Sequence, residues 1–214
     1  MRSIKALIRS VWFNIKFLSF RQAIYLPIWI DSCVDIQKLK KGQIVLNKIR
    51  PKIVLLGGGK TAGMNAGRTT ILLDSKSKLF FQGKAVISEG TTLRCNQDSI
   101  MEIGDNFYCN CNCFISSTNK VQIGNDCIFG WRITINTGDG HKVLHQGINS
   151  EGRQDIIIGK HVWLAPDCSL TKGVVIPDNC IVAQKAVVTK AFSKPNCMIG
   201  GIPAKIIRED INWE

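Results

Sequence analysis

The sequence has no Cys-x-x-Cys pair, only three histidines, and no apolar run that could cross a bilayer without interruption. Its nine cysteines are odd in number and lack the paired spacing of a secreted disulfide scaffold. Cys109-x-Cys111-x-Cys113 puts alternate residues on one strand, a poor four-ligand cage, so no metal is expected and the thiols read as structural. The most apolar window, Val11 to Ile30, is broken by Lys16, Arg21 and Pro27, which argues against a spanning helix. The N-terminal residues carry no clean apolar h-region, so no signal peptide is expected, and free thiols point to a reducing cytoplasm. Acid is scarce: 16 Asp and Glu face 28 Lys and Arg, a net charge of +12 that favours an anionic partner. The cations are scattered without interleaved aromatics, which argues against a nucleic-acid platform. Gly57-Gly58-Gly59-Lys60-Thr61 suggests a phosphate loop, but the Gly required four places before the Gly-Lys-Thr is Val54, so this reads as a glycine-rich turn.

What is present is a repeat of six. Ile123-Gly124-Asn125-Asp126-Cys127-Ile128 is followed by Phe129 to Thr134, and then by a break at Ile135. The sixes resume at Ile158, Leu164, Leu170, Ile176 and Val182, and earlier units open at Ile103, Cys109 and Ile115. Cys113, Cys127, Cys168 and Cys180 each lie two residues before an apolar opener and read as small inward-facing residues. Short strands that turn every six residues cannot bury their openers alone. Stacked at about 4.8 Å per coil they form one apolar column. Three sixes per coil imply a triangular prism, a parallel β-helix, expected over residues 71–214 with a loop at 136–157 and a C-terminal tail. Residues 1–70 read as an N-terminal helix and an extended lead-in.

Over residues 2–19, Ile4, Leu7, Ile8, Val11, Ile15 and Leu18 share one helical face, opposite Arg2, Lys5, Arg9 and Lys16. The expectation is a helix docked on the domain by that apolar face. The rival expectation is peripheral contact with an acidic membrane face, with Trp12 and Phe13 near the boundary. The protein is accordingly placed in the cytoplasm, with the inner face of the membrane as the alternative.

The sixes resemble the hexapeptide-repeat acyltransferases, whose β-helix is left-handed. Thr137-Gly138-Asp139-Gly140-His141 is similar to the Asp-x-His loop of the sugar O-acetyltransferases among them. Ile158 to Ala165 resembles their Ile-Gly-x-x-Val-Trp-Ile-Gly coil. Val187-Val188-Thr189-Lys190 with Gly201-Ile202-Pro203-Ala204-Lys205-Ile206-Ile207-Arg208 resembles their C-terminal signature. Arg21 to Ile28 resembles the lead-in of enzymes that acetylate capsular or lipopolysaccharide sugars.

The resemblance implies acetyl-CoA as co-substrate, a sugar or polysaccharide hydroxyl as acceptor, and a homotrimer with the donor slot between subunits. It assigns His141 as general base, a role that suits a neutral imidazole. Asp139 either orients that ring or accepts a hydrogen bond from the sugar. His145 and Trp163 are assigned to the acceptor. Ala165, Gln184, Thr189 and Lys190 line the donor's path, and Lys205 and Arg208 meet its phosphates. His161 reads as a coil-surface residue. Two departures from the family pattern stand out: Ala165-Pro166 replaces a Gly-containing turn and removes a backbone donor, and Ala183-Gln184-Lys185-Ala186 replaces Gly-Ala-Gly-Ser. Lys185 is either a phosphate contact or a solvated corner charge. Rival functions on the same fold are N-acetylation of an amino sugar or antibiotic, and a non-catalytic binding protein. A further rival is a zinc enzyme resembling the γ-type carbonic anhydrases, whose three-His spacing His141, His145 and His161 do not reproduce.

Overall fold

The computed structural model describes residues 4–59, 66–141, 144–145, 148–149 and 152–214. The chain winds as a left-handed parallel β-helix of three faces. Face one runs in nine strands from Ile28–Ile30 to Ala204–Arg208; face two in seven from Val34–Gln37 to Val187–Val188; face three in six from Ile44–Leu46 to Val175–Ile176. The openers of the sixes stack in register. On face three Leu46, Phe81, Ile103, Ile123, Ile158 and Ile176 are successive ladder partners, and all are buried. Face two repeats this with Ile71, Leu93, Ile115, Ile135, Leu170 and Val188. Each such side chain removed from water contributes about 1.5–3 kcal/mol, so a column of this length dominates the stability.

Small residues make the stacking possible. A Cβ on Gly104 would run into the Gly124 carbonyl, and one on Gly124 into that of Gly159, so the Ile-Gly step lets neighbouring coils touch backbone to backbone. Cys113, Cys127, Cys168 and Cys180 are buried, as their place in the repeat requires. The corners turn through left-handed residues. Asn106, Asp126, His161, Asn179 and Asn196 serve the third corner (faces three to one), and Asn112, Arg132, Asp167 and Lys185 the first (faces one to two). Asn and Asp tolerate that conformation well.

Two expectations need correction. The prism starts earlier than residue 71: the same three faces take in Ile28–Ile30, Val34–Gln37, Ile44–Leu46 and Val54–Leu56, and a boundary at residue 70 would cut the strand Thr69–Leu73. The early coils were obscure because long turns separate their strands and disguise the six-residue period. The helix α1 (Ile4–Phe17) also docks by a different side from the one expected. Ala6, Ser10, Phe13, Asn14 and Phe17 are buried, while Ile4, Leu7, Ile8 and Ile15 stand 43–76% exposed. The reason lies in the first strand, whose outer edge has no neighbouring coil. Ser10 Oγ accepts the Ile30 N–H at 3.0 Å, and Asn14 accepts the Ile28 N–H at 3.2 Å and donates to its carbonyl at 2.6 Å. An unpaired backbone edge is costly to bury, and these two side chains satisfy it while Phe13 and Phe17 close the end of the core. A short second helix, α2 (Phe20–Ala23), follows.

Candidate active site

The break in the sixes falls at the second corner (faces two to three) of the fifth coil, between Thr134–Asn136 and Ile156–Ile158. The two arms of the loop zip together as they leave the prism. The Gln154 N–H donates to Thr137 O at 3.1 Å, Gly138 bridges Arg153, and the Asp139 N–H donates to Gly152 O at 3.1 Å. Further out, Leu144–His145 pairs antiparallel with Ile148–Asn149. His141 is therefore carried just beyond the last zipped residue, exposed, with Gly140 before it at φ +78°.

The loop's base is bolted to the coil below. Thr137 is fully buried; its Oγ1 accepts the Thr118 N–H at 2.7 Å and sits 3.0 Å from Thr118 Oγ1. Asn136 Nδ2 donates to Gly138 O at 2.7 Å, and a Cβ on Gly138 would lie 2.6 Å from Thr118 Oγ1, so a larger residue there would push the Thr118 side chain aside. From the coil above, Lys172 forms an ion pair with Asp139. Asp139 thus has a partner that neither of its expected roles included. Lys172, Thr118 and Asn136 carry no motif signal in the sequence, and Thr137 stands there only as the first residue of the loop motif; counting sixes from Ile158 puts Lys172 on the loop's own corner, one coil up.

The other expected site residues are spread over the prism. Thr189 and Lys190 are exposed on the second corner, two coils above the loop, with Lys190 Nζ 5.7 Å from the Phe192 ring centre. Ala165 and Gln184 lie on the first corner, across face two from His141. Trp163 points outward from face one, the side opposite His141's corner, and Lys205 and Arg208 are exposed on the last strand of that face. Roughly six residues of extended chain per face separate these groups by on the order of 15 Å within one chain. The structure describes His145 as a strand residue, and its side chain lies outside the described residues, as do Lys60 and Thr61 of the glycine-rich turn.

The turn at the first corner has few free backbone donors. The Ala165 N–H donates to Val182 O at 2.9 Å, the Asp167 N–H to Trp131 O at 3.0 Å, and Pro166 has no N–H. Arg132 clasps Asp167 in a bidentate pair at 2.6 and 2.9 Å, which holds that carboxyl below the usual carboxylate range. His161 is engaged in the coil. Its Nδ1 lies 3.2 Å from Asn179 Oδ1, and its ring stacks on Trp213 at 4.0 Å with 3° between planes. The Trp213 indole donates to the His161 carbonyl at 3.2 Å. Among the described residues there is no cluster of three or more His, Cys, Asp or Glu able to hold a metal ion.

The chain matches no protein-family model. It is 33% identical to the galactoside O-acetyltransferase of Escherichia coli over 114 residues, 52% of this chain and 55% of that protein. It superposes on the polysialic-acid-specific acetyltransferase NeuO with a TM-score of 0.54 at 19% identity, covering 88% of this chain and 89% of that one. A hexapeptide-repeat acetyltransferase of Vibrio cholerae, solved with acetyl coenzyme A, gives a TM-score of 0.52 at 22% identity over 61% of this chain and 70% of that one. The chain spans about half the length of the curated relatives it matches.

Proposed function

We propose, from the chain's homology to the hexapeptide-repeat acetyltransferases, that it moves an acetyl group from acetyl-CoA to a hydroxyl of a surface-polysaccharide sugar or its precursor, with His141 as general base. One observation carries the reading: the regular run of sixes from Ile103 to Val188 is interrupted by a zipped, anchored loop that projects a histidine into solvent. An exposed histidine carried on such a loop is open to a substrate proton. The named activity of the Escherichia coli relative supports a sugar hydroxyl as acceptor, and the acetyl coenzyme A in the Vibrio cholerae structure supports the donor.

In this reaction the acceptor hydroxyl passes its proton to the His141 imidazole as its oxygen attacks the thioester carbonyl. A C–O bond forms and the tetrahedral oxyanion collapses with cleavage of the C–S bond. The imidazolium returns its proton to the departing thiolate. Oxyanion stabilisation normally comes from preorganised donors. The commitments of Ala165 and Asp167 and the proline between them favour a donor outside this turn. The phosphates of coenzyme A are remote from the reacting carbon, and their binding to Lys205 and Arg208 positions the thioester.

The separation of His141 from Ala165, Gln184 and Arg208 within one chain supports a homotrimer in which the loop of one subunit meets donor held by its neighbour. The outward residues of face one, Tyr108, Ile128 and Trp163, offer a largely apolar surface for such packing. The proposal places the enzyme in the cytoplasm.

The test is to offer acetyl-CoA with candidate surface-polysaccharide sugars and analyse products by mass spectrometry. The expected product is an alkali-labile ester; an alkali-stable amide would favour N-acetylation of an amino sugar. A second expectation concerns the Asp139–Lys172 pair. Lys172→Met should lower kcat about tenfold by loosening the loop, with coenzyme A affinity unchanged, since small misplacements of a reacting group are costly. Asp139→Asn should cost the same, and the double variant no more than either single one. A larger loss for Asp139→Asn alone would instead assign the carboxylate to the sugar.

A further inference from the structure

The first coils and the helix that caps them carry a surface that catalysis does not use. α1 buries one arc on the prism and leaves the adjacent arc, Ile4, Leu7, Ile8 and Ile15, facing solvent. Beyond it Phe20 is 79% exposed, Ile24 61% and Tyr25 52%. At 3.6 residues per turn, Lys5 and Lys16 fall along one margin of that apolar stripe with Trp12 between, and Lys16 Nζ lies 4.7 Å from the Trp12 ring centre. Neither helix contains an acidic residue.

The charge around this end is equally one-sided. Residues 4–59 hold ten Lys and Arg against two Asp, a balance of +8 out of +12 for the whole chain. Lys40, Lys41, Arg50 and Lys52 are exposed on the corners of the first coil, whose first strand α1 packs against. Stability does not require this arrangement, because the docking side of α1 is complete without the outer stripe.

We propose that this end of the prism is a docking surface for an anionic lipid bilayer. The helix lies in the plane of the interface, its apolar stripe enters the acyl boundary, and the basic margin and first-coil corners meet the headgroups. A stripe of large aliphatics bordered by Lys and Trp has the composition of an in-plane amphipathic helix. Each cation near an acidic bilayer adds to the attraction. A second copy of the chain is a poor occupant, because a two-fold contact would oppose the same cations. Among the described residues no helix is long and apolar enough to cross a membrane, so the contact is peripheral. Docked this way, the His141 loop on the fifth coil stands about 20 Å further from the bilayer than the first coil, at about 4.8 Å per step.

The test is flotation of the full chain with vesicles of phosphatidylcholine alone or mixed with phosphatidylglycerol. Wild type should bind the anionic vesicles at least about tenfold better than the neutral ones, and 0.5 M salt (roughly a 4 Å Debye length) should weaken the binding strongly. I8E/I15E should lose vesicle binding about tenfold or more, and K5Q/K16Q should lose it severalfold, with thermal unfolding of both unchanged because all four side chains face outward. No binding to the anionic vesicles, equal binding to both kinds, or full binding by I8E/I15E would each overturn the proposal. So would a higher assembly of wild type that I8E/I15E breaks apart, since a second copy would then be the occupant. None of these readouts involves acetyl transfer.

Discussion

His141→Ala is expected to lower kcat by about 10³, within the range attributed to a positioned general base, while coenzyme A affinity and thermal stability stay as in wild type. Stability should hold because the side chain is exposed and the loop is held by Thr137, Asn136 and the Asp139–Lys172 pair. Affinity should hold because the donor's phosphates are assigned to Lys205 and Arg208, away from the loop. A matched control is His161→Asn. His161 already sits at φ +53°, which Asn tolerates, and its ring is taken up by Asn179 and Trp213, so kcat should change by less than about twofold. Initial rates and calorimetric coenzyme A binding on the three proteins decide the matter. Unchanged turnover in His141→Ala removes the base assignment; loss of coenzyme A binding along with turnover makes His141 a donor contact instead.

The division between what was readable in the sequence and what was not follows from what each residue does. Stacked openers repeat the same environment every six residues, so Ile103, Ile123 and Ile158 announce the prism without any tertiary information. The first coils solve the same burial problem with irregular turns, and a period read from the sequence cannot see past them. α1 misleads for a different reason. A hydrophobic stripe says which side avoids water, yet this helix is held by Ser10 and Asn14, polar residues whose partners are backbone groups of a strand edge. Only the fold reveals that such an edge exists. At the candidate site the motif yields His141 and Asp139 directly, while Lys172 emerges only when coils are stacked. The position of Ala165, Gln184 and Arg208 away from His141 is likewise a property of the closed prism rather than of spacing along the chain.

The buried thiols imply a large alkaline loss of stability. Cys95, Cys127 and Cys168 lie in the core, and burial pushes each thiol from an ordinary value of 9.0 up to about 12. Folding favours the neutral protonated form, so the folded pKa lies above the unfolded one. The stabilisation is complete below about pH 9 and is lost as pH rises from there toward 12, because the unfolded chain releases protons that the folded chain retains. At about 1.4 kcal/mol per pH unit and thiol, these three should together cost about 4 kcal/mol by pH 10. That is a large fraction of the stability of an ordinary domain. Lysines and tyrosines titrate in the same region, so the expectation is stated against a variant. C95A/C127A/C168A should begin less stable at pH 8, from the lost packing, but fall between pH 8 and pH 10 by about 4 kcal/mol less than wild type. Urea unfolding at the two pH values under reducing conditions measures both slopes. Parallel losses in the two proteins would mean that the thiols ionise as readily folded as unfolded, and that the packed column of the β-helix admits water where Cys95, Cys127 and Cys168 line it.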